Sequence, residues 1–275
     1  MEALKGKRVG ILGVGKLGEA LVLGLVRRAV LPLEAFTGSV ARDESLARVS
    51  ARAGIRGTTS NAEAVKGADV VLLTVKPQVV ARVMGEVGPL LQPSQLLVSC
   101  AASVPTSFIE ALIPAPVPVV RVMPNTPCLL GEGMSALCRG KHATAGDLAR
   151  ARAIFDAVGR TAILDERLFD AVTGLSGSGP AYIYLIIESL AESGVKLGIP
   201  RETSTLLAAQ TVLGAARMVL EAGEHPALLK DTVTTPAGCT IDGLLELEEG
   251  KLRVTLVKAV VKAAERARQL VEEQR

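Results

Sequence analysis

The sequence has little of what several protein classes require. It has two histidines, His142 and His225, which argues against a histidine-based catalytic triad and a metal site. Its four cysteines show no paired spacing, and no signal-peptide pattern is seen, so we expect reduced thiols and a cytoplasmic protein. No apolar run approaches the roughly 18 residues of a membrane-spanning helix. Acids and bases are interspersed at a net charge of +3, so we expect neither nucleic acid nor a membrane as a partner.

Apolar character is nevertheless high. The mean hydropathy is +0.38 over 275 residues, a length that suits one large or two modest domains. Since no membrane span accounts for it, much of this apolar surface must be buried within the fold or between subunits.

A glycine-rich turn follows the first predicted strand. Residues 8 to 12 read as a short buried strand, Gly13-Val-Gly15-Lys-Leu-Gly18 comes next, and residues 19 to 28 are in helical phase. The first glycine permits the turn, the second lets backbone approach a pyrophosphate, and the third lets helix pack on strand. This context predicts a dinucleotide site. The alternative is a glycine-rich turn in an unliganded α/β unit.

The end of the second predicted strand indicates which dinucleotide binds. A site for NAD usually has an Asp or Glu there, about 20 residues beyond the glycines. This chain has Ser39 and Arg42 instead, with no acid before Asp43. A serine can donate to a phosphate oxygen, and an arginine can pair with it through two N–H groups. We therefore expect NADPH rather than NADH; the alternative is that Arg42 is a solvated loop charge.

Residues 1–164 alternate predicted strands and helices. Apolar runs over 69 to 75, 96 to 100 and 117 to 123 read as buried strands, each followed by small or proline-containing segments. Repeated βα units of this kind indicate a parallel, doubly wound sheet whose ligands bind at the carboxyl ends of the strands. The predicted fold class is α/β, with a Rossmann-type dinucleotide-binding domain over residues 1–164.

The chain changes character after residue 164. Long helical patterns cover 181 to 197, 201 to 221 and 252 to 272, with no predicted strand. A glycine-rich segment, residues 174 to 180, is expected to break the helical region that begins at Phe169. We expect an all-α C-terminal dimerisation domain over 165–275, because apolar helices without a sheet to pack on can be covered by a second subunit.

Residues 231 to 243 contain a second predicted anion site. Hydroxyl-bearing residues lead through Pro236 and Gly238 into an apolar helical pattern. Such a loop presents unpaired amides at a helix N-terminus, which attracts a carboxylate or a phosphate. Thr240 lies where its hydroxyl could face the same anion. The alternative is an ordinary helix cap.

The chain resembles the pyrroline-5-carboxylate reductase family over essentially its whole length. The resemblance is carried by the glycine turn, by Val75-Lys76-Pro77 and by three longer motifs. These are Arg121-Val-Met-Pro-Asn-Thr-Pro127, Ala171-Val-Thr-Gly-Leu-Ser-Gly-Ser-Gly-Pro-Ala-Tyr182 and Val233-Thr-Thr-Pro-Ala-Gly-Cys-Thr-Ile241. The resemblance implies a reductase that makes proline from 1-pyrroline-5-carboxylate. It implies NADPH as cofactor with NADH as an alternative, and a homodimer that could assemble into a decamer.

The resemblance also implies roles for particular residues. The implied cofactor contacts are Leu12, Gly13, Gly15, Lys16, Leu17, Asn61, Val75, Lys76, Pro77, Ala101 and Ala102, with Ser39 and Arg42 near the extra phosphate. Glu166, Cys239 and Thr240 are implied to contact the substrate, although an acid that begins a helix is also an ordinary dipole partner. The chain departs from many relatives at Ala237, where they have glycine. It departs from some at Thr232, where they have a cofactor-contacting asparagine.

The implied chemistry is hydride transfer to the C=N carbon of the cyclic imine. An iminium accepts hydride better than a neutral imine, so a hydroxyl that donates to the ring nitrogen is useful. We expect Thr240 to be this catalytic residue, with the helix amides at Cys239 and Thr240 binding the carboxylate.

Two other function classes compete with this interpretation. A 3-hydroxyacid dehydrogenase would use a lysine with an asparagine one helical turn later, but Lys196 is followed by Leu197-Gly-Ile-Pro200. A cofactor-binding sensor without catalysis would not need the predicted anion site at 231 to 243.

Overall fold

A computed structural model describes residues 2–273, and within them eight strands form one sheet in the order β3-β2-β1-β4-β5-β6-β7-β8. The strands are β1 (Val9–Leu12), β2 (Phe36–Ser39), β3 (Arg56–Thr58), β4 (Val70–Leu73), β5 (Leu96–Ser99), β6 (Val119–Met123), β7 (Gly133–Arg139) and β8 (Gly159–Ile163). The helices that follow them are α1 (Lys16–Arg27), α2 (Glu44–Ala53), α3 (Asn61–Val65), α4 (Val80–Val87), α5 (Thr106–Ala111) and α6 (Ala145–Phe155). The remaining helices are α7 (Phe169–Val172), α8 (Gly179–Lys196), α9 (Arg201–Ala222), α10 (Pro226–Thr232), α11 (Cys239–Glu249) and α12 (Leu252–Glu272).

The central strands are buried on both faces. Ile11 and Leu72 pack into a core on one side of the sheet, whereas their neighbours Leu12 and Leu73 pack into a second core on the other side. Successive side chains of a strand point to opposite faces, so an uninterrupted apolar run fills two cores at once. This explains why these strands read as continuous apolar stretches. It confirms the predicted Rossmann-type sheet.

The predicted sheet is wrong in one respect, because it is not parallel throughout. β6 and β7 pair antiparallel, and β8 lies parallel to β7. A short connection joins β6 to β7 through a single-turn helix and Gly131, whose φ is +79°. Parallel neighbours need a longer crossover, usually a helix, so a connection this short favours the antiparallel pair. The sequence pattern did not predict β3, β7 or β8 as strands.

The chain divides into two compact units. The first, here the N-terminal unit, comprises the chain up to Gly177 together with the last part of α12 from Ala263, and the second, here the helical unit, is Ser178–Lys262. The domain boundary at residue 164 stays a prediction. The α-helix that begins at Phe169 is interrupted near the predicted place: α7 ends at Val172, a π-helical turn, Thr173–Gly177, follows, and α8 begins at Gly179.

The helical unit is held by a close hairpin of α8 and α9. Ser204 Oγ on α9 donates to Ala191 O on α8 at 2.6 Å, and a Cβ on Gly194 would lie 2.0 Å from Ser204 Oγ. Among the residues described in 178–262, the buried ones are Ala191, Ser204 and Ala208. Large apolar side chains of this unit are exposed, including Leu185, Leu197, Leu206, Leu213, Leu220, Leu245 and Val257. These helices therefore have little apolar core of their own.

None of the helices within residues 2–273 combines the length and the apolar character needed to cross a membrane.

Candidate active site

The glycine turn has the geometry that a dinucleotide requires. Gly13 has a φ of +84°, and a Cβ there would lie 2.4 Å from Val75 Cγ1. A Cβ on Gly15 would meet nothing within 4 Å, which leaves space for a pyrophosphate. A Cβ on Gly18 would lie 3.3 Å from Ile11 Cγ2, so α1 packs closely on β1. Gly15 is the N-cap of α1 and no side chain caps this helix, so the amides of its first turn, from Lys16 and Leu17 onward, face the site.

Several elements place the other predicted cofactor residues at one edge of the sheet. β2, β1, β4 and β5 are adjacent and parallel, so the segments that follow them lie side by side. Val75, Lys76 and Pro77 follow β4, and Ala101 and Ala102 follow β5. The structure therefore brings these residues to the edge where the glycine turn lies.

Thr74 is a residue of this edge that the sequence analysis missed. Its hydroxyl lies 2.9 Å from Gly13 O and 3.2 Å from Leu12 O, both within donating distance. It thereby ties the glycine turn to the end of β4.

The end of β2 is part of a chain of hydrogen bonds. The amides of Gly13 and Val14 donate to Ser39 O at 3.1 and 2.9 Å. Ser39 Oγ donates to Asn61 Oδ1 at 2.7 Å, and Asn61 Nδ2 donates to Glu86 Oε2 at 2.5 Å. Ser39 is 1% exposed, whereas Arg42 is exposed beyond the end of the strand. The Ser39 hydroxyl is thus engaged within the protein, and Arg42 is the group open to an incoming phosphate.

Glu166 is bound by two residues of the N-terminal unit. Its carboxylate accepts hydrogen bonds from Thr106 N and Thr106 Oγ1, both at 2.7 Å, and from Arg121 Nη1 at 3.1 Å. Arg121 is 4% exposed, and its Cζ lies 4.8 Å from the centre of the Phe169 ring. Thr106 begins α5, which follows the loop that contains Ala101 and Ala102. Glu166 therefore fixes the position of Thr106 just after the loop that contains Ala101 and Ala102. This role was not predicted from the sequence.

In the helical unit, residues 231 to 243 form the expected loop and helix N-terminus. α11 begins at Cys239 with Gly238 as its N-cap, and no side chain caps it. Gly238 N donates to Thr235 O at 3.0 Å, and Ala237 has a φ of +57°. Thr240 is the second residue of the helix and is half-buried, so it is not the capping residue. The amides of the first turn and the Thr240 hydroxyl are grouped at one helix end.

The cysteines are free thiols. Burial raises the pKa of Cys138 to about 12 and raises the pKa of Cys100 and of Cys128 above its usual value. Cys239 is exposed. Among the residues that the structure describes, no group of histidine, cysteine, aspartate and glutamate side chains has metal-binding geometry.

Comparison with known proteins identifies both halves of the chain. Residues 166–270 match the family model for pyrroline-5-carboxylate reductase dimerisation, and residues 8–103 match the NADP oxidoreductase, coenzyme F420-dependent, model. The chain is 45% identical to a pyrroline-5-carboxylate reductase of Arabidopsis thaliana over 96% of this chain and 95% of the relative. It is 42% identical to one of Methanosarcina acetivorans over 97% and 99%.

Solved structures agree with these relatives. A pyrroline-5-carboxylate reductase from Coxiella burnetii superimposes with a TM-score of 0.90 at 34% identity, covering 96% of this chain and 98% of that one. A Plasmodium falciparum pyrroline carboxylate reductase, solved with NADP bound, superimposes with a TM-score of 0.87 at 31% identity, covering 97% and 99%.

The fold and the glycine turn define a dinucleotide-dependent oxidoreductase with a helical dimerisation region. The chain belongs to the pyrroline-5-carboxylate reductase family. It is an NAD(P)H-dependent enzyme that reduces 1-pyrroline-5-carboxylate to proline. Membership of this family excludes the 3-hydroxyacid dehydrogenase and the non-catalytic sensor considered above.

Proposed function

We propose that the chain prefers NADPH and binds it at the glycine turn and the carboxyl ends of β1, β2, β4 and β5. The residues that would hold the cofactor are Leu12, Gly13, Gly15, Lys16, Leu17, Ser39, Arg42, Asn61, Val75, Lys76, Pro77, Ala101 and Ala102. The open space at Gly15, beside the uncapped N-terminus of α1, is the observation that carries this proposal. When bound, the dihydronicotinamide supplies the hydride for the C=N carbon.

The preference for NADPH rests on Arg42. Its guanidinium is exposed beyond β2, and the hydroxyl of Ser39 is engaged by Asn61. Hydrogen bonds to charged groups contribute about 1.5–3 kcal/mol, so Arg42→Ala should lower kcat/KM for NADPH roughly 10–100-fold. The value for NADH should change little. Equal kcat/KM values of the wild type for the two cofactors would refute the preference.

The substrate would be bound by α11. The amides of Cys239 and Thr240 would donate to its carboxylate, since the N-terminus of this helix carries unpaired N–H groups and the positive end of the dipole. The Thr240 hydroxyl would donate to the ring nitrogen and stabilise the change of charge there. Glu166 remains a predicted substrate contact, and its bonds to Thr106 and Arg121 support a positioning role as well.

One assay tests this function against its rivals. Purified enzyme is mixed with NADPH and 1-pyrroline-5-carboxylate, and cofactor oxidation is followed at 340 nm while proline is quantified. We expect one proline for each NADPH oxidised, and no reduction of NADP⁺ by 3-hydroxyacids. Turnover with 3-hydroxyacids, or cofactor binding without proline formation, would refute the proposal.

We also propose that the enzyme works in the cytoplasm as a homodimer, which could assemble further into a decamer. The exposed apolar side chains of α8, α9, α11 and α12 support burial between copies of the chain. Obligate interfaces of this kind bury on the order of 2,000–5,000 Å². Multi-angle light scattering at micromolar concentration should give a mass of two chains or of ten, and an active monomer would contradict the assembly.

A further inference from the structure

The hydrogen bonds at the end of β2 have a fixed direction. A glutamate carboxylate can only accept, so Asn61 must turn its NH₂ group toward Glu86 Oε2, 2.5 Å away. The Asn61 carbonyl oxygen is then directed at Ser39, whose hydroxyl must donate across 2.7 Å. The amide of Gly13, which donates to Ser39 O at 3.1 Å, also lies 3.4 Å from Ser39 Oγ and shares its hydrogen with that oxygen. The hydrogen bonds therefore all point the same way, from the glycine turn through Ser39 and Asn61 to the carboxylate of Glu86, which accepts the last one.

This direction decides what Asn61 can present to a ligand. An amide nitrogen has two N–H donors, and Glu86 takes one of them. Asn61 is half-buried at the start of α3, beside the end of β2 where the ribose of a bound dinucleotide is recognised. Its second N–H is thus free to donate to a ribose oxygen. Without Glu86, the Ser39 hydroxyl and the Asn61 amide could both reverse, and a carbonyl oxygen would replace that donor.

Glu86 also brings a negative charge to a strand end that lacks the usual acid. It lies in α4, the helix that follows β4, and one amide side chain separates it from Ser39. A carboxylate there opposes a second anion such as a ribose 2′-phosphate, and exposure to solvent moderates this repulsion. Arg42 at the end of β2 acts in the opposite sense.

We propose that Glu86 is a specificity-determining residue that fixes Asn61 as a donor to the cofactor ribose and, through its charge, limits the preference for NADPH over NADH. This inference rests on the proposed cofactor site. Arg42, which follows β2, and Glu86, which lies in α4, would then act in opposite directions on the preference for NADPH over NADH.

Fragments of the cofactor test the proposal without catalysis. Binding of 2′,5′-ADP and of 5′-AMP to the full-length enzyme is measured by titration calorimetry. Glu86→Gln keeps an acceptor for Asn61 and removes the charge, so it should tighten 2′,5′-ADP about 3–10-fold and change 5′-AMP less than about 2-fold. Glu86→Leu removes both charge and acceptor, so it should weaken 5′-AMP about 3–10-fold by freeing Asn61 to reverse.

Glu34→Gln is the matched control, because Glu34 is exposed near the opposite end of β2 and its loss changes the net charge equally. It should leave both affinities as in the wild type. If Glu86→Gln had the wild-type ratio of affinities for 2′,5′-ADP and 5′-AMP, the proposed effect of the charge would be wrong. If Glu86→Leu bound 5′-AMP with the wild-type affinity, the proposed positioning of Asn61 would be wrong. If the wild type bound neither fragment, the cofactor site itself would be wrong, which separates the two failures. The ratio of kcat/KM values for NADPH and NADH should rise in Glu86→Gln in parallel with the fragment affinities.

Discussion

Arg121 and Glu166 form an ion pair that joins β6 to the turn beyond β8. Arg121 Nη1 lies 3.1 Å from Glu166 Oε1; the arginine is 4% exposed and the Glu166 side chain 29%. The Nη2 atom of Arg121 is buried without a hydrogen-bond partner among the described residues. The guanidinium therefore depends on Glu166 for compensation of its charge.

Removing that carboxylate should first affect stability. Glu166→Ala leaves a buried guanidinium without its acid and should lower the free energy of unfolding by about 3 kcal/mol. Glu166→Gln keeps acceptors for Thr106 and Arg121 and should cost about 1 kcal/mol. Urea unfolding at fixed protein concentration measures both. As a proposed substrate contact, Glu166 should also affect substrate binding, so the KM of Glu166→Gln for 1-pyrroline-5-carboxylate should rise about 3–10-fold. A wild-type KM in this variant would limit Glu166 to positioning Thr106 and Arg121.

Ala237 is strained in the loop before α11. Its φ is +57°, and this region of backbone conformation costs a non-glycine residue about 1–2 kcal/mol. A glycine would avoid that cost, but its greater freedom in the unfolded chain offsets part of the stabilisation. Ala237→Gly should therefore raise the free energy of unfolding by about 0.5–1 kcal/mol. Ala29, with a φ of +51° after α1, is the matched control. Ala29→Gly should stabilise similarly without changing KM, whereas a destabilised Ala237→Gly would show that the loop is not strained.

Asp147 gives stability a predictable pH dependence. Burial acts to raise the pKa of its carboxyl, but hydrogen bonds from Thr144 and Arg150 outweigh burial and hold the pKa below 3.8. A folded-state pKa below the unfolded value stabilises the fold above about pH 4, and this stabilisation is lost as the pH falls through the folded-state pKa. Asp147→Asn should cost about 1 kcal/mol at pH 7. The cost should shrink at pH 3, so an equal cost at both values would contradict the assignment.

Local patterns predicted the local backbone structure better than they predicted the contacts between distant elements. The turn at Gly13 to Gly18 and the N-terminus of α11 follow from residues adjacent in the chain, and the structure has both. Glu86, by contrast, meets Asn61 across 25 positions, and Glu166 meets Thr106 across 60. No periodicity or spacing encodes such pairs, because they depend on which helix packs beside which strand.

Local patterns also failed to predict β7 and its antiparallel pairing with β6. β7 pairs with β6 in the opposite direction because the connection is short, and its residues, which include Gly133, Ser135 and Ala136, carry a weak apolar signal. The strands β1, β4, β5 and β6 are largely apolar and were predicted, whereas β3, with the residues Arg56–Thr58, was not. Antiparallel pairing is set here by the turn at Gly131 rather than by the strand residues.

The catalytic role of Thr240 is tested by two substitutions at one position. Thr240→Ala removes the hydroxyl but leaves the helix amides, so kcat should fall roughly 10–1,000-fold with a smaller change in KM. Thr240→Ser keeps the hydroxyl and should retain most activity. Thr211→Ala is a matched control, since the Thr211 hydroxyl donates to Leu207 O within α9. If Thr240→Ala had the wild-type kcat, the hydrogen bond to the ring nitrogen would have to come from a group other than the Thr240 hydroxyl.

The most direct test of the central claim follows the transferred hydrogen. The enzyme is given 1-pyrroline-5-carboxylate and NADPH that carries deuterium at the transferable position of C4, and the proline formed is analysed by mass spectrometry and NMR. Hydride transfer to the imine carbon predicts one deuterium per proline, located at the δ carbon. Proline without deuterium, or with deuterium at another carbon, would contradict the account.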